Sequence, residues 1–156
     1  MADIIDNVLA VYRFNTDQTW DQYFPGRCEE AEGLCTIETL KPYDQLFILM
    51  AASAEWVQLI QAMPTDVDLV GASATDDQPG AWNSVCYVGA AKATEEATRD
   101  IDSGFAIMYS LGSDQAWRRY VPARPEIPDT LTTLHRFDSV LLLVTTEGGM
   151  TWVFDP

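Results

Sequence analysis

A fourteen-residue pattern occurs twice in this chain, and it constrains the fold more than any other feature. The copies read Tyr-Arg-Phe-Asn-Thr-Asp-Gln-Thr-Trp-Asp-Gln-Tyr-Phe-Pro at 12–25 and Tyr-Ser-Leu-Gly-Ser-Asp-Gln-Ala-Trp-Arg-Arg-Tyr-Val-Pro at 109–122. Tyr, Asp, Gln, Trp, Tyr and Pro recur at identical spacing, where roughly one identity is expected by chance. The match predicts an internal duplication, and the length of 156 residues predicts a single domain, 1–156, that contains both copies.

Shifting one copy by 97 residues extends the match and predicts equivalent strands. Apolar runs predict strands at 8–12, 20–24 and 46–50 in the first copy, and at 105–109, 117–121 and 140–144 in the second. A last strand is predicted at 56–57 and at 152–153. The fold expected is therefore mainly β. Two pseudo-symmetric antiparallel meanders form a barrel-like or sandwich domain with one short helix, and a closed or nearly closed barrel is favoured over an open sheet because closure removes edges.

Two details of each copy follow from residue spacing. Alternation along the second strand predicts that Trp20 and Trp117 face the core, with Tyr23 and Tyr120 on the more polar face. Apolar residues three apart predict a helical turn before the third strand, and Asp129 is a candidate N-cap for this turn in the second copy.

The second copy has a front part that the first copy lacks. The repeats are assigned to 3–57 and 82–154, joined by an acidic linker at 63–80 that holds one short strand near 67–70. A strand at 82–88 and a helix at 94–100 belong to the second copy only. Three explanations stay open: the first copy lost these elements, the chain is part of a longer protein, or another chain supplies the missing strand.

The charge balance excludes several partners. The chain has 24 acidic and 9 basic residues, a net charge of -15 and a pI near 4.1. A phosphate backbone is repelled, so nucleic acid is not expected as a partner. No apolar run is long enough for a membrane helix, so no membrane insertion is expected. The N-terminus does not resemble a signal peptide. If this protein is secreted, we expect its signal peptide to have been removed or replaced.

Three cysteines are present, and two bracket a short acidic loop. Cys28 and Cys35 have a separation that suits a local disulfide, with reduced thiols as the alternative. A metal site would need two further ligands, for which only Cys86 and His135 are available, so no metal is predicted. Cys86 lies in an apolar run and is predicted to be a buried free thiol.

No enzyme motif or cofactor-binding motif is found. His135 is predicted to be a solvated loop residue. The linker acids Asp66, Asp68, Asp76 and Asp77 do not follow a calcium-loop pattern and are predicted to be solvated.

Two Tyr–Arg pairs are the candidate ligand-binding residues. Tyr23 with Arg27, and Tyr120 with Arg124, recur at a spacing of four. Aromatic rings beside guanidinium groups can stack on sugars and bind hydroxyls or carboxylates. The alternative is that each arginine stacks on its tyrosine to fix the loop.

The pattern W-x-x-Y-x-P, followed by a loop, T-L-x-x-L-x-x-x-D and an apolar strand, resembles a repeat of secreted and surface-attached bacterial proteins. The resemblance covers the second copy in full and all but the front of the first. The family's usual Pro-Gly is kept as Pro25-Gly26, whereas the second copy has Pro122-Ala123. The resemblance implies an extracellular or cell-surface location and no known catalytic activity.

The function expected from the sequence is a non-catalytic extracellular interaction module that binds a glycan or a protein. The first alternative is a structural subunit that forms homo-oligomers through an open strand edge, by strand addition. The second is a small enzyme with a polar pocket inside a β-barrel.

Overall fold

The computed structural model describes residues 2–40, 44–56, 63–73, 79–122 and 124–155, with side chains from Ile4 onward. Val57, Asp76 and Asp77, which enter the sequence-based predictions, lie outside the described residues. The chain divides into two compact units, Met1–Ala62 and Met63–Pro156, here called unit 1 and unit 2. Each unit holds one of the predicted copies. The assignment of both to one domain stays a prediction.

Unit 1 is a three-stranded antiparallel sheet that follows a short 3-10 helix, Ala2–Asn7. Its strands are β1 (Val8–Phe14), β2 (Trp20–Tyr23) and β3 (Leu46–Met50), in the order β2-β1-β3. The third strand returns to pair with the first strand, so the order differs from a simple meander. The core of unit 1 is built on three buried residues, Ile4, Val8 and Val11.

Unit 2 contains a four-stranded antiparallel sheet, two strand pairs and one short α-helix. The sheet has the order β5-β10-β7-β8, and the pairs are β4 with β11 and β6 with β9. The elements of unit 2 are β4 (Asp66–Leu69), β5 (Ala81–Cys86), β6 (Lys92–Ala93), α1 (Thr94–Ala97), a 3-10 helix (Asp102–Gly104), β7 (Phe105–Leu111), β8 (Trp117–Tyr120), β9 (Thr133–Leu134), β10 (Ser139–Val144) and β11 (Met150–Val153).

The mainly β, antiparallel fold predicted from the sequence is confirmed. Within the described ranges no sheet closes on itself, so the favoured closed barrel was wrong and the open sheets are consistent with a sandwich-like fold. None of the described helices is long and apolar enough to span a membrane. The helix is also shorter than predicted: it ends at Ala97, whereas the sequence predicted a helix over 94–100.

The matched sequences adopt matched geometry. Val11 pairs with Tyr23 and with Ile48, and the equivalent Met108 pairs with Tyr120 and with Leu142. Each first strand also has a register shift at the equivalent place, near its start. The hairpin turn of each unit contains a glutamine with positive φ, 67° and 61°, at Gln18 and Gln115 respectively. The strands β2, β1 and β3 of unit 1 therefore pair in the same order and register as β8, β7 and β10 of unit 2.

The second strands face the opposite way from the prediction. Trp20 and Trp117 are 52% and 53% exposed, whereas Tyr120 is buried and Tyr23 packs against the core of unit 1. The tryptophans instead contact rings on the outer face, such as Tyr109 beside Trp117. A period of two shows which residues share a face, but it does not show which face is covered.

The predicted helical turns before the third strands were also wrong. Residues 36–40 have no regular structure, and Thr133–Leu134 forms the two-residue strand β9. Asp129 does not cap a helix; its Oδ1 accepts a hydrogen bond from the Val121 N–H at 2.8 Å. The spacing of three came from an extended segment, in which Leu131 and Leu134 are buried in unit 2 whereas Leu40 is exposed in unit 1.

Candidate functional site

The structure separates the predicted Tyr–Arg pairs. Arg27 Nε lies 2.9 Å from Glu30 Oε2, and Arg124 Nη1 lies 3.6 Å from Glu126 Oε1. Both guanidiniums are mostly exposed, whereas Tyr23 and Tyr120 point into their units. The arginines thus stabilise their own loops through glutamates, and the ligand-binding role of the four residues stays a prediction.

Tyr120 belongs to a buried cluster in unit 2. Its hydroxyl lies 3.4 Å from Asp102 Oδ2, and its ring lies 6.2 Å from that of Phe105. Asp102 also accepts a hydrogen bond from Thr98 Oγ1, which links the cluster to the end of α1. Burial raises the pKa of Tyr120, and the charge of Asp102 acts in the same direction. Tyr120 is therefore a framework residue with a hydrogen-bond partner.

Tyr23, its counterpart, lines an open groove in unit 1. The groove has a volume of about 240 Å³. Its floor and walls come from the first 3-10 helix, from β1 and β2, and from the segment before β3. We call it the unit 1 groove and define it by five residues: Ile5, Val11, Tyr23, Ile37 and Leu40.

One wall of the groove is fixed by ion pairs. Arg13 binds Asp21 at 2.7 Å and Asp44 at 2.8 Å, and it also donates to the Thr39 carbonyl at 3.0 Å. The hydrogen bond from Arg13 lowers the pKa of Asp21. Because Thr39 precedes Leu40, these contacts hold the groove wall in place before any ligand binds.

Four of the five equivalent positions are buried in unit 2. The 97-residue shift, and the 94-residue shift that applies after the cysteine loop, relate the groove residues to Asp102, Met108, Tyr120, Leu131 and Leu134. All of these except Asp102 are buried. The contrast is largest at the last position, where Leu40 is 40% exposed and Leu134 is 0% exposed.

The cover in unit 2 is the front part of the repeat. Lys92 pairs with Leu134 in the β6–β9 ladder, and Thr94 N donates to Thr132 O at 3.1 Å. Helix α1 follows directly, and Trp152 Nε1 donates to the Ala97 carbonyl at 2.9 Å. The segment is therefore held at three places within unit 2, over the surface of unit 2 that is equivalent to the open groove of unit 1. We call residues 81–98, which include β5, β6 and α1, the front segment.

The sheets show the same difference at their edges. In unit 2, β10 lies between β7 and β5, whereas in unit 1 the equivalent β3 is the outer strand of the described sheet. Leu49 on β3 is 58% exposed, and its counterpart Leu143 is paired with Trp82 of β5. The front segment thus accounts for both the covered edge and the covered groove in unit 2.

The other candidate residues do not form a site. Asp66 and Asp68 lie on β4, where Asp68 accepts a hydrogen bond from Thr151 Oγ1 at 2.7 Å. His135 is exposed beside Asp138. No group of three potential metal ligands is found in the described part of the chain.

Two of the three cysteines form the predicted pair. Cys28 and Cys35 lie at disulfide distance, with Cα atoms 5.2 Å apart. Cys86 is a free thiol at an intermediate depth, and burial raises its pKa. A protonated thiol is a weak nucleophile, so Cys86 has no sign of a catalytic role.

We expect unit 2 to lose stability at alkaline pH through Tyr87 and Tyr120. Burial raises the pKa of both phenols above the usual value of about 10. The neutral phenol is the form that the fold favours, so its contribution is complete below pH 10 and is lost as the pH rises through the raised pKa. Urea midpoints measured from pH 8 to pH 12 should fall, and Tyr120→Phe should reduce the slope. An unchanged slope in that variant would contradict the assignment of Tyr120.

No protein-family model, curated protein or solved structure matches this chain. The two units are therefore the available reference for each other. Unit 2 shows which chain segment lies over its own surface at the place where the equivalent surface of unit 1 is open.

Proposed function

We propose that the chain is a non-catalytic interaction module whose ligand is a polypeptide bound by unit 1. The polypeptide adds a strand to β3 and fills the unit 1 groove. One observation carries this proposal: equivalent surfaces are covered by a chain segment in unit 2 and open in unit 1. An edge strand has a row of backbone donors and acceptors, and strand addition uses them for affinity.

The chemistry of the groove favours a polypeptide over a glycan. Four of the seven residues that line it are aliphatic, and the others are Tyr23, Glu38 and Thr39. Burial of apolar side chains stabilises a complex by about 25 cal/mol per Å² of buried area. A sugar would leave its hydroxyls without partners on these aliphatic walls. The carbohydrate alternative is therefore less well supported at this groove.

The groove also favours binding over catalysis. Among the described residues that line it, Tyr23 and Glu38 are the titratable side chains. General acid–base catalysis needs a group with a suitable pKa that is positioned by a partner, and nucleophilic catalysis needs an activated nucleophile. Neither arrangement is built from an apolar groove with an exposed glutamate at its rim.

An extracellular or cell-surface location forms part of the proposal. A cystine such as that of Cys28 and Cys35 persists in oxidising surroundings. The resemblance of the W-x-x-Y-x-P pattern to secreted bacterial repeats supports the same location. A structural subunit joined by strand addition is the second candidate, because an edge strand such as β3 can also pair with a copy of the chain.

Selection of peptides on the intact chain tests the proposal. A displayed library of random 18-residue peptides should be enriched for sequences in which apolar residues alternate with polar ones. Leu49→Lys places a charge on the β3 edge and should remove that enrichment. Val153→Lys is the matched control, because Val153 is exposed to nearly the same extent, 56% against 58%, on a strand of unit 2.

Two outcomes would contradict the proposal. One is a library that gives no enrichment over an unrelated acidic protein. The other is enrichment that survives Leu49→Lys unchanged, since the peptides would then bind elsewhere on the chain. Binding of a glycan array, with no peptide selected, would favour the carbohydrate alternative.

A further inference from the structure

From the matched geometry of the two units, and resting on the proposed function, we infer that the ligand of unit 1 is a separate segment with the pattern of this chain's own front segment. It has a strand that pairs with β3, followed by a short helix that covers the unit 1 groove. It also differs from the front segment at one position, Asn83, where the ligand is apolar.

The register of the added strand follows from unit 2. There, β5 pairs with β10 so that Ala81 is opposite Val144 and Trp82 is opposite Leu143. The positions of β3 that correspond to Val144 and Leu143 are Met50 and Leu49, since both strands share the same pairing with their first strands. The Trp82 position of the ligand therefore covers Leu49, the most exposed residue of β3.

The helical part covers the groove in the same way. In unit 2 the front segment pairs with β9 through Lys92 and Leu134, and Leu131, Leu134, Thr94 and Thr98 are all buried. The corresponding wall in unit 1 is formed by Ile37 and Leu40. A segment that places a helical turn here removes both aliphatic side chains from water, which is the main favourable contribution to binding.

A second copy of this chain is a poor donor of the segment. Each molecule has one front segment, which already covers its own unit 2, and two surfaces that can accept such a segment. If one molecule gives its segment to unit 1 of another molecule, its own unit 2 is left uncovered. The number of covered surfaces does not rise, while association costs translational and rotational freedom. The ligand is therefore a segment that is not already bound.

Asn83 of the front segment has partners in unit 2 that unit 1 lacks. Its Oδ1 accepts a hydrogen bond from Val70 N at 2.7 Å, its Nδ2 donates to Val70 O at 2.8 Å, and Val70 belongs to the linker before β5. Thr98 is different, because its Oγ1 also donates to the Thr94 carbonyl of the same segment at 2.9 Å and so keeps a partner. A buried polar group without a partner weakens binding. The loss of the Val70 contacts is the reason for an apolar residue at the Asn83 position.

Three peptides test the inference on the intact chain by fluorescence anisotropy. The first is residues 81–99 with Cys86→Ser, the second also carries Asn83→Val, and the third is a scrambled form of the second. The apolar peptide should bind one per chain, about tenfold more tightly than the first, because an unsatisfied buried amide costs at least that factor. Leu49→Lys in the chain should weaken binding at least tenfold, and Val153→Lys should leave it unchanged.

Hydrogen exchange gives the second measurement. The apolar peptide should slow exchange of the amides of Leu46–Met50 and leave those of Ser139–Val144 as they were. If neither peptide binds better than the scrambled form while the library still yields strand-forming sequences, the inference fails and the proposed function stands. Tighter binding of the first peptide overturns the apolar preference. A dimer of the chain alone that is lost in Leu49→Lys overturns the choice of a separate segment.

Discussion

Trp152→Ala is expected to lower the free energy of unfolding by about 3–5 kcal/mol. The Trp152 side chain is fully buried, packs on the rings of Tyr87 and Phe154, and donates to the Ala97 carbonyl. Its removal leaves a large cavity and also releases the end of α1 from β11. Urea denaturation followed by circular dichroism measures the loss.

Trp117→Ala is the matched control for this experiment. Trp117 lies in the same unit but is half exposed, so its removal should change the free energy of unfolding by less than about 1 kcal/mol. Trp152→Phe should fall between the two, because it keeps most of the ring and loses the hydrogen bond. Equal losses for Trp152→Ala and Trp117→Ala would contradict the orientation of both side chains.

Loss of the cystine of Cys28 and Cys35 is expected to lower the free energy of unfolding by about 2–3 kcal/mol, because the bond closes a short loop in the unfolded chain. The two cysteines are separated by 7 positions. Cys35 Sγ also accepts a hydrogen bond from the Phe24 N–H, so the pair anchors the end of the second strand of unit 1. Urea denaturation with and without dithiothreitol measures the effect.

The controls for the cystine use the third cysteine. Cys28→Ser combined with Cys35→Ser should reproduce the effect of the reductant and abolish any further response to it. Cys86→Ser should leave the response intact, since Cys86 is a free thiol. A native chain whose urea midpoint does not move with dithiothreitol would show that the two sulfurs are not bonded.

Most strands could be predicted from the sequence, because local patterns determine them. The apolar run at 46–50 is β3. The run at 140–144 makes up all of β10 except Ser139, the first residue of that strand. The match between the two sequence patterns helped further, since a strand recognised in one pattern located its counterpart in the other. The pairing order could not be predicted in this way. It depends on how the chain returns after the loops, and the third strand of each unit lies beside the first.

The orientation of the second strands could not be predicted from the sequence. Alternation placed Trp117 on the core face and Tyr120 on the more polar face, and the structure has them the other way round. Tyr120 is accommodated inside because Asp102 lies near its hydroxyl, and Asp102 is fifteen or more residues away from every part of that strand. A partner so distant in sequence leaves no local signal. Tyr120 is therefore buried beside Asp102, whereas Tyr23 lines the unit 1 groove.

The unit 1 groove was missed for a different reason. The sequence showed that the first copy lacks a strand and a helix, which was the correct signal. It could not show that the missing elements would leave a shaped surface instead of a collapsed one. Arg13, bound to Asp21, Asp44 and the Thr39 carbonyl, keeps the wall in place. Such a contact is visible only when three distant stretches of chain meet.

The outer position of β3 also affects how copies of this protein behave in concentrated solution. Leu46–Met50 is an apolar edge, and segments of this kind promote aggregation when chains approach each other. The net charge of -15 keeps copies apart by mutual repulsion. This repulsion extends about 10 Å at 0.1 M salt but only about 3 Å at 1 M. The excess of acidic residues thus acts as a colloidal stabiliser for an exposed edge, and its protection is lost at high ionic strength or near the isoelectric point.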